Sequence, residues 1–141
     1  MKYITTTFDI EKGQVQIPLG QRCNCHVGLV EITLPSFNER QYVENSIDIT
    51  CDQIDSTIYN PKRLLRRINF EKVAKGLYYH YAPTHIIMEK VDSDDDFLTI
   101  KIARTNSFRS SHAILLSDKA RGHEKVYITL AIQKENTPRC I

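Results

Sequence analysis

The chain has 141 residues, of which 41% are hydrophobic and 26% charged, and these proportions are those of a folded protein rather than a disordered one. A chain of this length builds one hydrophobic core, so we expect a single domain over residues 1–141 with a loose tail from about residue 135. The net charge of +2 does not by itself make nucleic acid the expected partner.

Nothing in the sequence directs the chain to a membrane or to export. The longest apolar runs span a few residues, far short of the roughly 20 that cross a bilayer, and the N-terminal segment has no apolar block of the signal-peptide kind. The four cysteines are too few for a disulfide scaffold, and no Asn-x-Ser/Thr site with x other than Pro occurs. We therefore expect no membrane partner, and reduced thiols in an intracellular setting.

Short segments rich in β-branched and aromatic residues recur along the chain and indicate strands. Residues 2–10 and 14–19 flank the turn Glu11-Lys12-Gly13 and are candidates for an opening hairpin. Residues 25–34 follow. Both of their alternating sets of side chains are apolar, which predicts a strand covered on both faces along part of its length.

Residues 46–51 alternate cleanly, with Ile47, Ile49 and Cys51 on a core face and Asp48 and Thr50 on a solvent face. The remaining strand candidates are residues 64–70, 76–81, 85–91, 97–103, 112–116 and 125–133. About nine or ten candidates without helical periodicity predict an all-β sandwich, and an eight-stranded jelly roll would use most of them. The predicted fold class is therefore all-β, a single jelly-roll β-sandwich.

The cluster Cys23-Asn24-Cys25-His26 contains ligands that zinc favours. In an extended strand Cys23 and Cys25 share one face while Asn24 and His26 lie on the other, and no second Cys/His pair follows at a suitable distance. Buried thiols are the favoured alternative. We expect Cys25 and Cys51 to be reduced thiols in the core.

A Cys/His catalytic pair is also conceivable, but no family signature surrounds Cys23, Cys25, Cys51 or Cys140. The sequence contains no phosphate-binding glycine loop, nucleophile elbow or metalloprotease motif. The acidic run at residues 92–96 lacks the glycine and glutamate positions of a calcium loop, so a solvated turn is favoured over a cation site. We expect no catalytic residue, metal or cofactor, and predict that the protein is not an enzyme.

Basic residues cluster before a group of tyrosines, in an arrangement also used by grooves that bind single-stranded nucleic acid. In a strand, however, Arg66 and Arg67 point to opposite faces, and tyrosines of β-proteins often lie in cores or interfaces. The favoured interpretation is an oligomer interface that includes Arg66, Arg67, Tyr78, Tyr79 and Tyr81. The alternative is nucleic-acid binding through a cluster over residues 62–75, with Lys62, Arg63, Arg66 and Arg67 as its main contacts.

The segment HVGLVEITLP at residues 26–35 resembles the "VGL-E-I-P" strand of penton capsid proteins from Polinton/Maverick elements and adintoviruses. The segments IDITCDQI at 47–54 and LLRRI at 64–68 are similar to that family's strand ending in Cys-Asp and its following "LLR-I" strand. Matching segments continue in order with YAPTH at 81–85, FLTIKI at 97–102 and VYITL at 126–130. The chain departs from the family by lacking a long insertion at 36–45 and an Asp-rich continuation at 103–106.

The resemblance implies a jelly roll that forms a ring of five at the five-fold vertices of an icosahedral capsid, surrounded by a separate major capsid protein. It implies two partners, namely other copies of this chain and that major capsid protein, and a place in the virion after assembly inside the host cell. The matched motifs are structural, so they carry over no catalytic residue. A nucleic-acid-binding β-domain and a carbohydrate-binding jelly roll remain alternatives, because fold alone excludes neither.

Overall fold

The computed structural model describes residues 1–9, 12–20, 24–35, 46–68, 78–91, 93–104 and 125–135. These residues form strands β1 (Lys2–Asp9), β2 (Gln14–Pro18), β3 (Cys25–Pro35), β4 (Ile47–Cys51), β5 (Leu64–Ile68), β6 (Tyr78–Tyr81), β7 (Glu89–Val91), β8 (Phe97–Arg104) and β9 (Lys125–Lys134). The all-β prediction is confirmed for this part of the chain. The strand expected at 112–116 and the tail after residue 135 lie outside it.

The strands form two antiparallel sheets that share one hydrophobic core. Sheet 1 has the order β1-β9-β3-β6, and β7 also pairs with β3, whereas sheet 2 has the order β2-β8-β4-β5. Apolar side chains from both sheets belong to the same buried cluster. The arrangement is that of a β-sandwich. Over the ranges given above, no helix has the length and hydrophobicity needed to cross a membrane.

The predicted opening hairpin is wrong, because β1 and β2 belong to different sheets. β1 pairs with β9 along its whole length, and β2 pairs with β8. Phe8 and Ile17 each face the core, one from each sheet. Alternation identifies the face of a strand that is buried, but it does not identify the neighbouring strand. The turn residue Gly13, with a φ of 63°, thus lies between two strands of opposite layers.

Both apolar sets of β3 face the core because the strand contains a β-bulge. Its register with β9 shifts between Leu29 and Glu31, where β3 has one residue more than its neighbour. The extra residue reverses the face to which the later side chains point. Ile32 and Leu34 therefore face the core and do not cover the outer face, as the sequence suggested they would. The residues of β3 buried on the core side are Cys25, Val27, Leu29, Ile32 and Leu34.

The outer face of β3 is nevertheless covered at Gly28, by a segment that was predicted to be part of a strand. The predicted strand at 85–91 is wrong over residues 85–88, since β7 begins at Glu89. A Cβ atom at Gly28 would overlap three atoms of the covering segment. It would lie 2.6 Å from Ile86 Cγ2, 2.7 Å from Met88 Sδ and 2.8 Å from the carbonyl oxygen of Ile87.

Strands β4 and β9 largely follow their predicted alternation. The predicted core residues Ile47, Ile49 and Cys51 are at most 1% exposed. In β9 the expected core residues are likewise buried, namely Val126, Ile128, Leu130 and Ile132. Asp48 is an exception to the predicted solvent face, because it is only 8% exposed. Its burial is explained by an ion pair on that face, described below.

Candidate interaction surface

The loop between β4 and β5 is fixed by hydrogen bonds of its own side chains. Asn60 Oδ1 accepts a bond of 2.8 Å from the Leu64 amide, and Asn60 Nδ2 donates to the Leu64 carbonyl at 2.9 Å. Thr57 Oγ1 accepts from the backbone amides of Tyr59 and Asn60, at 3.3 and 3.1 Å. Such side-chain to backbone bonds stabilise a compact turn, so the tip of this loop has a defined conformation.

The end of the loop is tied back to β4 at Arg63. This residue has a φ of 56°, in the left-handed region that non-glycine residues seldom adopt. Its carbonyl accepts from the Cys51 amide at 3.0 Å, and its Nε donates to the Ile54 carbonyl at 3.1 Å. The two bonds hold Arg63 in this conformation and set the direction in which β5 starts.

Two large apolar side chains stand at the tip of this ordered loop. Ile58 is 87% exposed and Tyr59 is 92% exposed. By comparison, the outer face of sheet 1 exposes Tyr3 at 60% and Tyr127 at 46%. An apolar pair held in water by a rigid loop is a feature of protein interaction sites.

A groove of about 360 Å³ connects this tip with strand β5 and the segment that covers β3. Because β5 is the last strand in the order of sheet 2, the groove lies at a lateral edge of the sandwich. We call it the β5-edge groove, and its main lining residues are Tyr59, Leu64, Arg66, Arg67, Ile87 and Glu89.

The two arginines of β5 point in opposite directions, as the sequence predicted. Arg66 donates from Nε to the Tyr81 hydroxyl at 2.9 Å, and its Cζ lies 5.9 Å from the centre of that ring. Since Tyr81 belongs to β6, this contact joins the edges of the two sheets. Arg67 instead donates from Nε to Asp48 Oδ1 at 2.8 Å and from a terminal nitrogen to Oδ2 at 3.3 Å.

The Asp48–Arg67 pair explains why a carboxylate is buried on the outer face of sheet 2. The two residues are direct neighbours across β4 and β5. The hydrogen bond to Asp48 and the charge of its carboxylate raise the pKa of Arg67. A bidentate pair of this geometry satisfies the oxygens of the acid, so the predicted solvent position of Asp48 is replaced by an internal contact.

The predicted oligomer interface stays a prediction, and the structure adds the contacts that its members make within the chain. Tyr81 is half-buried and packs against the core. The backbones of Tyr78 and Tyr79 pair with Pro35 and Leu34, whereas the side chains of both tyrosines lie outside the described part of the structure.

Within residues 62–68, the described part of the basic cluster weighed for nucleic-acid binding, the three arginines make separate contacts. Arg63, Arg66 and Arg67 donate to three different acceptors, which are the Ile54 carbonyl, Tyr81 and Asp48. Lys62 is exposed on the loop, and Lys72 and Lys75 lie outside the described residues. A groove that follows a phosphate backbone needs cations aligned on one surface, and the nucleic-acid alternative stays a prediction.

Residues 93–96 form the described part of the predicted acidic turn, and Asp94, Asp95 and Asp96 are exposed. The turn is held on two sides. The Leu19 amide, just after β2, donates to the Asp96 carbonyl at 2.8 Å. Gln53 Nε2, just after β4, donates to Asp95 Oδ2 at 3.0 Å. The turn therefore lies at the same end of the sandwich as the β4–β5 loop.

Gln53 is a buried amide that extends the pairing of β4 with β8 beyond the last residue of β4. Its Oε1 accepts from the Thr99 amide at 2.6 Å, and the Asp52 amide donates to the Thr99 carbonyl at 3.1 Å. Because Gln53 is only 5% exposed, its amide group cannot rely on water and is satisfied by these hydrogen bonds within the protein.

Replacing Gln53 by alanine is expected to lower the free energy of unfolding by about 1–3 kcal/mol, because the Thr99 amide is left in the protein interior without its acceptor. Urea denaturation of wild type and variant measures the change. Gln16→Ala, at an exposed position of β2 opposite Thr99, is the control and should change stability by at most about 0.5 kcal/mol. Equal losses in both variants would contradict this role of Gln53.

The cysteine and histidine side chains of the 23–26 segment, where a zinc site was considered and not favoured, lie on opposite faces of the strand, as its alternation predicted. Cys25 is fully buried in the core, whereas His26 lies on the other face with Nδ1 3.5 Å from Glu135 Oε1. Among the described residues, no group of three or more His, Cys, Asp or Glu side chains could hold a metal ion. Cys23 and Cys140 lie outside these residues.

Cys25 and Cys51 are buried and neither forms a disulfide, which agrees with the prediction of reduced core thiols. Burial raises the pKa of Cys51 from 9.0 to about 11. Since the thiolate is the reactive form, Cys51 is inert at neutral pH.

Sequence reasoning missed a polar network on the outer face of sheet 1. Thr33 Oγ1 lies 3.0 Å from His80 Nδ1, and His80 Nε2 lies 3.6 Å from Glu31 Oε2. Thr129 Oγ1 donates to Glu31 Oε1 at 3.4 Å and is hydrogen-bonded to Thr5 Oγ1 at 2.9 Å. About half of the Glu31 side chain and half of the His80 side chain is exposed. Water therefore competes for these groups, so the contacts between the hydroxyl, the imidazole and the carboxylate stabilise the fold only weakly.

The network could not be found from the sequence because its members meet only through strand pairing. Thr5 and Thr129 are 124 positions apart, and Glu31 and Thr129 are 98 apart. In the sequence, each of these residues is an ordinary polar position of a strand.

The chain matches no protein-family model and no curated protein sequence. The fold itself defines the class of this protein. It is an antiparallel two-sheet β-sandwich with an ordered apolar loop tip at one lateral edge.

Proposed function

We propose that the chain is a jelly roll that acts as a penton subunit, forming the five-fold vertices of an icosahedral capsid together with a separate major capsid protein. The observation that carries the proposal is the strand order. Sheet 1 follows β1-β9-β3-β6 and sheet 2 follows β2-β8-β4-β5, so most connections cross from one sheet to the other. This alternation is what two interleaved Greek keys produce, and such double-sheet folds are frequent in viral capsids.

The segments that resemble penton proteins contain residues that stabilise the fold of this chain. Gly28 allows the segment 85–88 to lie against β3, and Cys51 and Gln53 complete the core and the β4 end. The "LLR-I" segment is β5, whose arginines bind Asp48 and Tyr81. A family whose shared residues hold a sandwich together, rather than perform a reaction, fits a role in a shell.

The surface of the described residues also supports assembly. A shell subunit has to bury lateral surfaces against its neighbours, and a ring built from one kind of subunit uses two different patches of each copy. The exposed pair Ile58 and Tyr59 supplies apolar area at such a lateral position.

Co-expression with the major capsid protein of the same element tests this function. We expect the chain to co-sediment with the particles at a ratio that corresponds to five copies per vertex. Particles assembled with a major capsid protein from an unrelated virus serve as the control and should not retain it. Particles that close fully without the chain, and never contain it when it is present, would contradict the proposal.

A further inference from the structure

Strand β1 is the longest edge strand in the described part of the chain. Its eight residues pair with β9 from Lys2 to Asp9 without a register shift, and β1 is the first strand in the order of sheet 1. On its other side, no strand of the described ranges pairs with it. The backbone amides and carbonyls that point outward from such an edge are a template for one more strand.

The other edge strands of the described part carry features that block pairing. β2 is five residues long and ends at Pro18, while β6 and β7 have four and three residues. β5 contains two arginines, and its pairing with β4 is interrupted by a register shift. Short length, proline, charge and bulges are the means by which natural proteins protect an edge. In β1 the two charged residues, Lys2 and Asp9, are at the ends, so the uncharged residues between them are open to a partner strand.

The core is also incompletely covered along this edge of the sandwich. β1 and β2 are edge strands of different sheets and are in contact, so they form one lateral edge. Ile4 from β1 and Val15 from β2 pack against the core but are only partly buried, as is Leu19 after β2. At the opposite edge, Arg66 joins the two sheets by its bond to Tyr81. A strand added beside β1 would therefore cover apolar side chains as well as pair with backbone groups.

The sequence of β1 is complementary to an antiparallel copy of itself. A two-fold axis perpendicular to sheet 1 keeps the core faces of both copies on the same side, so core-facing residues oppose core-facing residues. When the pairing is centred on Thr6, Ile4 opposes Phe8 of the second copy. On the outer face, Thr5 opposes Thr7 of the second copy. Apolar pairs and threonine pairs are both favourable across antiparallel strands.

We infer that β1 of one copy pairs antiparallel with β1 of a second copy, so that the two copies of sheet 1 join into one continuous sheet across a two-fold axis. A parallel pairing in register would instead set Lys2 beside Lys2 and Asp9 beside Asp9 of the second copy, which is unfavourable. The contact is isologous and closes at two copies, whereas the ring of the proposed function needs a heterologous contact. A test of this dimer therefore needs no capsid protein.

Association in solution tests whether the dimer forms. Native mass spectrometry and sedimentation equilibrium should show a concentration-dependent species of twice 16.3 kDa, or 32.6 kDa. The lysine variant combines Thr5→Lys with Thr7→Lys, and the glutamate variant combines Thr5→Glu with Thr7→Glu, at two exposed positions that oppose each other across the axis. Each variant alone should associate at least about tenfold more weakly than the wild type, because like charges directly opposite each other are destabilising.

Mixed in equal amounts, the lysine and glutamate variants should associate again, since each lysine then opposes a glutamate. The matched control places two lysines one strand inward, by Tyr127→Lys with Gln133→Lys at exposed positions of β9, and should dimerise like the wild type. Circular dichroism and thermal unfolding establish that every variant is folded. A monomeric wild type at the highest soluble concentration, undiminished association of the β1 variants, equal loss in the β9 control, or no recovery in the mixture would overturn the inference.

Photo-crosslinking tests which strands meet. A benzoylphenylalanine at position 5, in an equal mixture of isotope-labelled and unlabelled protein, should attach within residues 3–9 of the other copy. Mass spectrometry identifies the site, and adducts that combine a labelled with an unlabelled peptide show that the link joins two copies. The same probe at position 59, on the opposite lateral edge, should give no adduct within residues 2–9. Position-5 adducts that form only within one copy, or at another region of the second copy, would contradict the pairing of β1 with β1.

The results also distinguish this contact from the proposed function. Wild-type protein that enters capsids but forms no dimer through β1 overturns the contact and leaves the function standing. A dimer linked through β1, with no incorporation into capsids, supports the contact and contradicts the function.

Discussion

Replacing Gly28 by valine is expected to lower the free energy of unfolding by about 3 kcal/mol, at the upper end of what overpacking usually costs. A side chain at this position would overlap Ile86, Met88 and the carbonyl oxygen of Ile87. Met88 can adjust its rotamer, but the carbonyl belongs to the backbone, so the whole 85–88 segment has to move. Urea denaturation followed by circular dichroism measures the loss.

Thr7→Val is the matched control, because it introduces the same side chain on an exposed position of the same sheet. It should change stability by no more than about 0.5 kcal/mol. Gly28→Ala should lie between the two variants, since it adds the overlapping Cβ without the two further methyl groups. If Gly28→Val had the same urea midpoint of unfolding as the wild type, this would contradict the close approach of residues 85–88 to β3.

Raising the pH from 9 to 11 is expected to remove about 2 kcal/mol of stability through Cys51 alone, out of a total of about 3 kcal/mol for a pKa difference of two units at about 1.4 kcal/mol each. Burial raises the pKa of this thiol from 9.0 to about 11 in the folded protein. The unfolded chain therefore releases the proton first. The stabilisation is fully present below pH 9 and is lost as the pH rises through 11.

Other groups also titrate in this pH range, so the measurement compares wild type with Cys51→Ala. The variant is less stable at pH 8 because it leaves a cavity, but it lacks the thiol titration. The difference in unfolding free energy between the two proteins should shrink as the pH rises from 9 to 11. A difference that is constant over this range would contradict the burial of a protonated thiol at position 51.

Much of the strand content could be predicted because the relevant signals are local. Alternation in residues 47–51 and 126–132 identified strands and their core faces, and these residues are buried as expected. The pairing partners could not be predicted in the same way. β1 pairs with β9, at the far end of the chain, and nothing in the alternation of residues 2–9 distinguishes that neighbour from the adjacent β2.

The bulge in β3 shows a second limit of sequence patterns. Two alternating apolar sets within residues 25–34 predict a strand covered on both faces, yet one extra residue in the register brings Ile32 and Leu34 to the same core side as Val27 and Leu29. The fold of the segment 85–88 depends on the missing side chain of Gly28, which lies in β3, four strands earlier in the chain. A glycine within a strand indicates close approach of another group, but it does not say which group approaches.

The candidate interaction surface was only partly visible in the sequence. The basic residues of β5 and the acidic turn were identified, and the opposite directions of Arg66 and Arg67 followed from strand alternation. Ile58 and Tyr59 were not identified, because two apolar residues in a loop are equally compatible with burial. Their exposure results from the hydrogen bonds of Thr57 and Asn60, which fix the tip away from the core.

Electron cryomicroscopy of particles co-expressed with the major capsid protein tests the penton assignment most directly. We expect a ring of five two-sheet sandwiches at each five-fold vertex, present when this chain is expressed and missing when it is omitted. Vertices filled by the major capsid protein itself in both preparations, with no density for this sandwich, would contradict it.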